Sequence, residues 1–253
     1  MIIIRYNEIF LKGKNRVPFE KALQKNIREC LTKNNIPFTD VKRIHGRITI
    51  FTNEECPQLQ YVFGLASYSY ATEYSLDFEE IKQQALKFYT KGTFRVSCKR
   101  MEDYFISSQD IEKEIGAYVV EKTNAKVKLK DPEINIQIEI MNGHSYIFTE
   151  SIPGPGGLPI TKESHVVLLL QDSNSIKAGI KMMKRGCNLN VYKEKDLDWS
   201  ELKKYEYGFK IKELTNYPNE NTIVIVSDTL ENIKEYPFFV FRPLIMQQEL
   251  HTQ

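Results

Sequence analysis

The sequence predicts an α/β protein in three parts: an α+β unit over 1–75, a second over 76–159, and a small Rossmann-like parallel-sheet domain over 160–253. Three observations carry this. Residues 1–75 read β-α-β-β-α-β, the order of a ferredoxin-like unit. Ile134, Ile136, Ile138 and Ile140 alternate with Asn135, Gln137 and Glu139, as in a half-buried strand, and Asn142-Gly143 then makes a hairpin turn. Val166 to Leu170 is an unbroken apolar run of the kind a buried parallel strand needs, followed by a polar turn and a helical pattern.

Each element has a local reason. Met1 to Tyr6 is apolar and extended, and Asn7 to Asn15 is a polar loop. Pro18 suits the first turn of a helix reaching about Asn34, with Phe19, Leu23, Ile27 and Leu31 on its buried face. Phe38 to Ile44 and Arg47 to Phe51 are strands joined at His45-Gly46. A short helix follows at Pro57 to Val62, then a β-rich run from Ala66 to Ser75. In the second part, Phe78, Ile81, Ala85 and Phe88 keep helical spacing, Thr93 to Cys98 is a strand, and Ser108 starts a further helix. Ser151 to Pro159 is the densest Gly/Pro cluster and sets the last boundary. Beyond the helix that ends at Gly186, strands are expected at Leu189 to Tyr192, Thr222 to Val226 and Phe238 to Phe241. Helices are expected from Ser200 to about Tyr207 and after Asp228, read as a helix cap.

The net charge of +2 is unevenly distributed. Residues 1–50 hold eleven Lys/Arg against four acids, a balance of +7, whereas 101–150 hold five against ten, a balance of −5. A polyanion would feel the first segment most strongly. The four cysteines are scattered without a CxxC pair, which argues for a reducing, cytoplasmic compartment and against a disulfide framework or a zinc site. His45, His144, His165 and His251 have no metal-ligand spacing. No apolar run is long enough for a membrane span, and the first ten residues lack the order of a secretory signal.

The stretch from His165 to Gly186 is strand, turn, helix, the geometry in which a helix N-terminus receives a phosphate. Its turn, Gln171-Asp172-Ser173-Asn174-Ser175, contains no glycine.

Several segments together resemble the tRNA 4-thiouridine synthetase family over about residues 1–190. They are Arg5-Tyr6-Asn7-Glu8-Ile9-Phe10-Leu11-Lys12-Gly13-Lys14-Asn15-Arg16, His45-Gly46-Arg47, Phe63-Gly64-Leu65, Phe94-Arg95-Val96 with Lys99-Arg100, Gly156-Gly157-Leu158-Pro159, and Met182 to Gly186. The resemblance implies a ferredoxin-like domain, a THUMP domain that binds the acceptor end of tRNA, and an adenylating PP-loop domain. For RNA contact it points to Arg5, Lys12, Lys14, Arg16, Arg43, Arg47, Arg95, Lys99, Arg100, Gly156 and Gly157. The lysines and arginines among them can neutralise phosphates, and Tyr104 and Phe105 lie near the last three as possible base-stacking partners.

The third part departs from the pattern. The family's Ser-Gly-Gly-x-Asp-Ser loop is one residue shorter here, both glycines are gone, and Asn174 replaces the aspartate. Asp172, Ser173 and Ser175 remain as a vestigial nucleotide loop, and the paired catalytic cysteines have no counterparts. The leading expectation is therefore a tRNA-binding protein with no cofactor, which holds the acceptor end for a separate sulfur-transfer enzyme. Two alternatives stand beside it: an active sulfurtransferase using ATP and Mg, and an interaction protein that forms a homodimer.

Overall fold

The computed structural model describes residues 1–161 and 165–245; His251 lies outside them. In chain order, β1 (Ile2–Arg5) leads to α1 (Arg16–Lys33), β2 (Asp40–Ile44), β3 (Arg47–Phe51), β4 (Ser67–Tyr70) and β5 (Thr72–Tyr74). Next come α2 (Phe78–Lys87), β6 (Thr93–Arg100), α3 (Ser108–Thr123), β7 (Lys126–Val127), β8 (Ile134–Met141), β9 (His144–Phe148) and β10 (Ile152–Pro153). The last part holds β11 (His165–Leu170), α4 (Asn174–Lys184), β12 (Asn188–Lys193), β13 (Glu213–Leu214), β14 (Val224–Ile225) and β15 (Val240–Phe241).

These strands form three sheets. The first, β10-β4-β1-β3-β2, is antiparallel throughout. In the second, β5-β9-β8-β6-β7, strand β6 runs parallel to both its neighbours and the β8–β9 hairpin turns at Asn142-Gly143 as expected. Phe94, Ile136, Ile138 and Ile140 of this sheet share a core with Ile111, Ile115 and Val119 of α3. The third sheet, β13-β12-β11-β14-β15, is parallel throughout. Leu168 and Leu170 pack there with Ala178 and Met183 of α4, which is why the apolar run of β11 is unbroken.

The mixed α/β class is as expected, but two strands cross the expected boundaries at 75 and 159. The β-rich run from Ala66 to Ser75 divides at Ala71: β4 stays in the first sheet and β5 joins the second. β10, expected in the middle part, pairs with β4. By contacts the chain forms two compact units: one of Met1–Arg5, Ile36–Glu55 and Ser67–Pro153, the other of Tyr6–Asn35, Cys56–Ala66 and the chain from Gly154 onward. Nothing in the composition of 66–75 marks the handover.

Further corrections are local. Residues Glu8–Asn15, expected as loop, form a 3-10 helix interrupted at Gly13, whose φ is +52°. Among the described residues no helix follows Asp228. Leu230 and Ile233 there are exposed, so no apolar face rewards helix formation. The buried Asp228 carboxylate instead accepts from Arg242 Nε, the Tyr236 hydroxyl and the Lys234 N–H, each at 3.1 Å. Glu139, expected on a solvent face, is buried.

Candidate nucleic-acid interface and the turn at 171–175

Arg47 is buried, and Arg5 presents only 15% of its side chain to solvent. The β1–β3 register, with Ile4 opposite Ile48, sets the two arginines opposite each other, where like charges repel unless an anion lies between them. Glu139 of β8 is that anion: Arg5 Nε reaches its Oε1 and Arg47 Nε its Oε2, both at 2.9 Å. Arg5 also lies 4.8 Å above the Phe148 ring. The pair is therefore committed to the fold rather than offered to phosphate. A lone carboxylate in a strand otherwise free of charge was the available signal.

The other N-terminal cations are more open. Lys14 and Arg43 are exposed. Lys12 sits 5.1 Å over the Phe19 ring, and Arg16 pairs with Glu20 at 2.9 Å while still presenting about two-fifths of its side chain.

The cluster expected around β6 is dispersed by strand geometry. Arg95 and Lys99 share one face four residues apart, roughly 13 Å at strand rise, and Arg100 lies on the opposite face. Lys99 is exposed. Arg95 donates to the Leu129 carbonyl at 3.1 Å, and Arg100 to the carbonyls of Tyr104 and Ile106 at 2.8 and 3.0 Å. Tyr104 donates its hydroxyl to Leu76, whereas Phe105 is 80% exposed beside it. Sequence reasoning missed Lys126, Lys128 and Lys130, all exposed along the segment that Arg95 anchors. Their alternation with Val127 and Leu129 was the overlooked signal.

Gly156 and Gly157 serve the backbone. Both have positive φ, +68° and +77°, and a Cβ on Gly157 would stand 2.1 Å from the Lys184 carbonyl oxygen. The segment is pinned by Gly64 N–H to Gly156 O and by Leu158 N–H to Lys184 O, each 2.9 Å.

In the parallel sheet the chain order of strands reads third, second, first, fourth, fifth, so it reverses between β11 and β14. Ligands of doubly wound sheets sit at the carboxyl ends of the strands flanking such a reversal. Here those ends carry Gln171 and Asp228. The backbone amides of Gln171 and Asp172 donate to Ser175 Oγ at 3.0 and 3.2 Å. Those of Asn174 and Ser175 donate to Asp172 Oδ1 at 2.9 and 3.2 Å. Ser173 opens α4 without a side-chain cap bond. Across the reversal, Tyr236 bridges Gln171 and Asp228, and Gln171 Nε2 also donates to Glu194 at 2.9 Å. Burial, with Asp228 adjoining, pushes the Tyr236 phenol up to about 12.

The thiols are less scattered than the sequence suggests. Cys30 and Cys56, both fully buried, hydrogen-bond each other, which raises the Cys30 pKa and lowers that of Cys56. Burial raises the Cys187 thiol. Among the described residues no cluster of His, Cys, Asp or Glu could hold a metal, and no helix is long and apolar enough to cross a membrane.

Known proteins resemble this chain along most of its length. Residues 1–69 match the ThiI ferredoxin-like domain, and residues 76–150 the THUMP domain. A probable tRNA sulfurtransferase of Thermococcus kodakarensis is 35% identical over 259 residues, covering 93% of this chain and 67% of that one. One of Natranaerobius thermophilus is 36% identical over 205 residues, 73% of this chain and 49% of its own length. The chain thus spans about two thirds of the first and half of the second. Among solved structures, PH1313 of Pyrococcus horikoshii superposes with a TM-score of 0.85 at 31% identity, covering 98% of this chain and 95% of that one. A 4-thiouridine synthetase crystallised with RNA and ATP gives a TM-score of 0.64 at 31% identity, covering 76% and 52% respectively.

Proposed function

This chain belongs to the tRNA sulfurtransferase family, and we propose that it binds the acceptor end of tRNA without adenylating the tRNA itself. Its ferredoxin-like and THUMP parts would hold the RNA in the cytoplasm for a separate sulfur-transfer enzyme. Lys12, Lys14, Arg43 and Lys99 are the phosphate contacts in this reading, with Arg16 and Arg100 partly engaged within the chain.

One observation carries the second half of the proposal: four amides of the 171–175 turn already donate to Ser175 and Asp172. A nucleotide loop needs such amides free and needs glycine for close backbone approach. This turn offers neither, and Gln171, Tyr236 and Asp228 bond across the crevice where the nucleotide belongs. These engaged donors support the reading that the turn does not hold ATP.

The test is tRNA binding over a salt series, with and without the unpaired 3′ end. Affinity is expected to fall when the end is removed and as salt rises; equal binding of both RNAs overturns the acceptor-end reading. Lys14→Glu with Lys99→Glu is expected to weaken binding and to lower its salt dependence. Release of AMP from ATP in the presence of tRNA would establish the alternative, an active sulfurtransferase with a reshaped loop. Self-association has its own support in the exposed Phe241 of edge strand β15 and Phe239 just before it, and sedimentation across a concentration series tests it.

A further inference from the structure

Cys30, in the last turn of α1, and Cys56, just before the 3-10 turn Pro57–Tyr61, belong to the same compact unit and are both fully buried. Their sulfurs stand in a directed chain of hydrogen bonds. Asn34 Nδ2 donates to Cys30 Sγ at 3.9 Å, the Cys30 S–H donates to Cys56 Sγ, and the Cys56 S–H donates to Gln58 Oε1 at 3.8 Å. The Tyr207 phenol also hydrogen-bonds Cys30. A purely structural cysteine is inert in apolar surroundings, whereas polar groups converge on both of these sulfurs. They also divide the roles. The Cys30 S–H, and after it the Leu59 and Gln58 amides, hold the Cys56 thiol below its ordinary pKa although burial opposes them. The same bond between the sulfurs, together with burial, raises Cys30. Cys98 differs: burial pushes its thiol up to about 11, and its hydrogen bond goes to Ser108.

We propose that Cys30 and Cys56 are a modification site for hydroperoxides, closing to a disulfide through a sulfenic acid on Cys56. In the first step the Cys56 thiolate attacks one peroxide oxygen. An S–O bond forms, the O–O bond breaks, and hydroxide leaves and takes up a proton as water. The Cys30 sulfur then attacks the Cys56 sulfur. The S–S bond forms at about 2.05 Å, the S–O bond breaks, and the Cys30 proton leaves with the departing hydroxide as a second water. Two electrons pass from the sulfur pair to the peroxide, and a dithiol reductant reverses the change. Burial sets the size of the reagent: hydrogen peroxide, little larger than water, enters in local openings that exclude bulky thiol reagents. The disulfide ties α1 to the 3-10 turn and closes the loop between positions 30 and 56, which restricts the unfolded chain and so favours the folded one.

The test is to treat the full chain with hydrogen peroxide, unfold it, block remaining thiols with iodoacetamide and map tryptic peptides without reduction. Trypsin cuts after Arg28, Lys33, Arg47 and Lys82, so the two cysteines fall on separate peptides, 29–33 and 48–82. The expected product is these two peptides joined, lost again on treatment with dithiothreitol. The oxidised chain is expected to melt about 5–10 °C higher than the reduced one. In Cys30→Ser the reaction is expected to stop at the sulfenic acid, captured on Cys56 by dimedone, with no rise in the midpoint. In Cys56→Ser no adduct is expected on Cys30. Both cysteines recovered as alkylated thiols from the peroxide-treated parent, while Cys98 or Cys187 is oxidised, would overturn the proposal without need of any variant. A dimedone adduct on Cys30 in Cys56→Ser would overturn the assigned order of attack.

Discussion

Arg47 and Glu139, ninety-two residues apart, meet at 2.9 Å in a contact where each side chain is 5% exposed. Arg5 shares the same carboxylate. Glu139→Gln leaves two guanidinium groups in a low-dielectric site without a counter-ion, and is expected to lower stability by about 3–5 kcal/mol in urea titration. A change below about 1 kcal/mol would mean that solvent reaches the pair.

Ser175 and Asp172 cap opposite ends of one turn. Ser175→Ala strands the buried Gln171 amide and the partly buried Asp172 amide and is expected to cost about 1–3 kcal/mol. Asp172→Ala removes the first-turn acceptor of α4, at about 1 kcal/mol. Calorimetry with ATP is expected to show no binding by the parent or either variant. Binding by the parent would contradict the engaged-amide argument.

Gly157 and Gly143 have nearly the same φ, +77° and +74°, in different surroundings. At Gly143 a Cβ meets no described atom within 4 Å, so Gly143→Ala is expected to cost only the backbone term, about 1–2 kcal/mol. Gly157→Ala adds the clash with the Lys184 carbonyl and is expected to lower the thermal midpoint clearly further. Equal midpoints would show that the 154–159 segment yields.

Burial pushes the Tyr146 phenol up to about 12, with Glu73 and Glu102 adding to the shift. Tyr207 rises to about 12, again chiefly through burial. An unfolded phenol ionises near 10. Between about pH 10 and 12 the folded chain therefore keeps protons that the unfolded chain has released, and its stability falls as pH rises through that window. Below about pH 10 this contribution is fully present. Tyr146→Phe is expected to lose less stability across the window than the parent, read as the urea midpoint against pH; parallel curves would sink the assignment.

Local pattern determined much of this protein. The apolar run of β11, the isoleucine alternation of β8, the Asn142-Gly143 turn and the spacing in α1 and α3 each encode an element within a few residues. That the turn at 171–175 holds no glycine was equally plain, because the composition of a turn is local. Tertiary structure alone decided which charges are available. Arg5, Arg47 and Arg43 look alike in sequence, yet strand register brings two of them to Glu139 from far along the chain and leaves the third on the surface. It likewise decided that Asp228 binds Arg242 and Tyr236 instead of capping a helix. A side chain's charge is a property of its residue, but its partner is a property of the fold. Partners that lie far apart in sequence become visible only when the sheets bring them together.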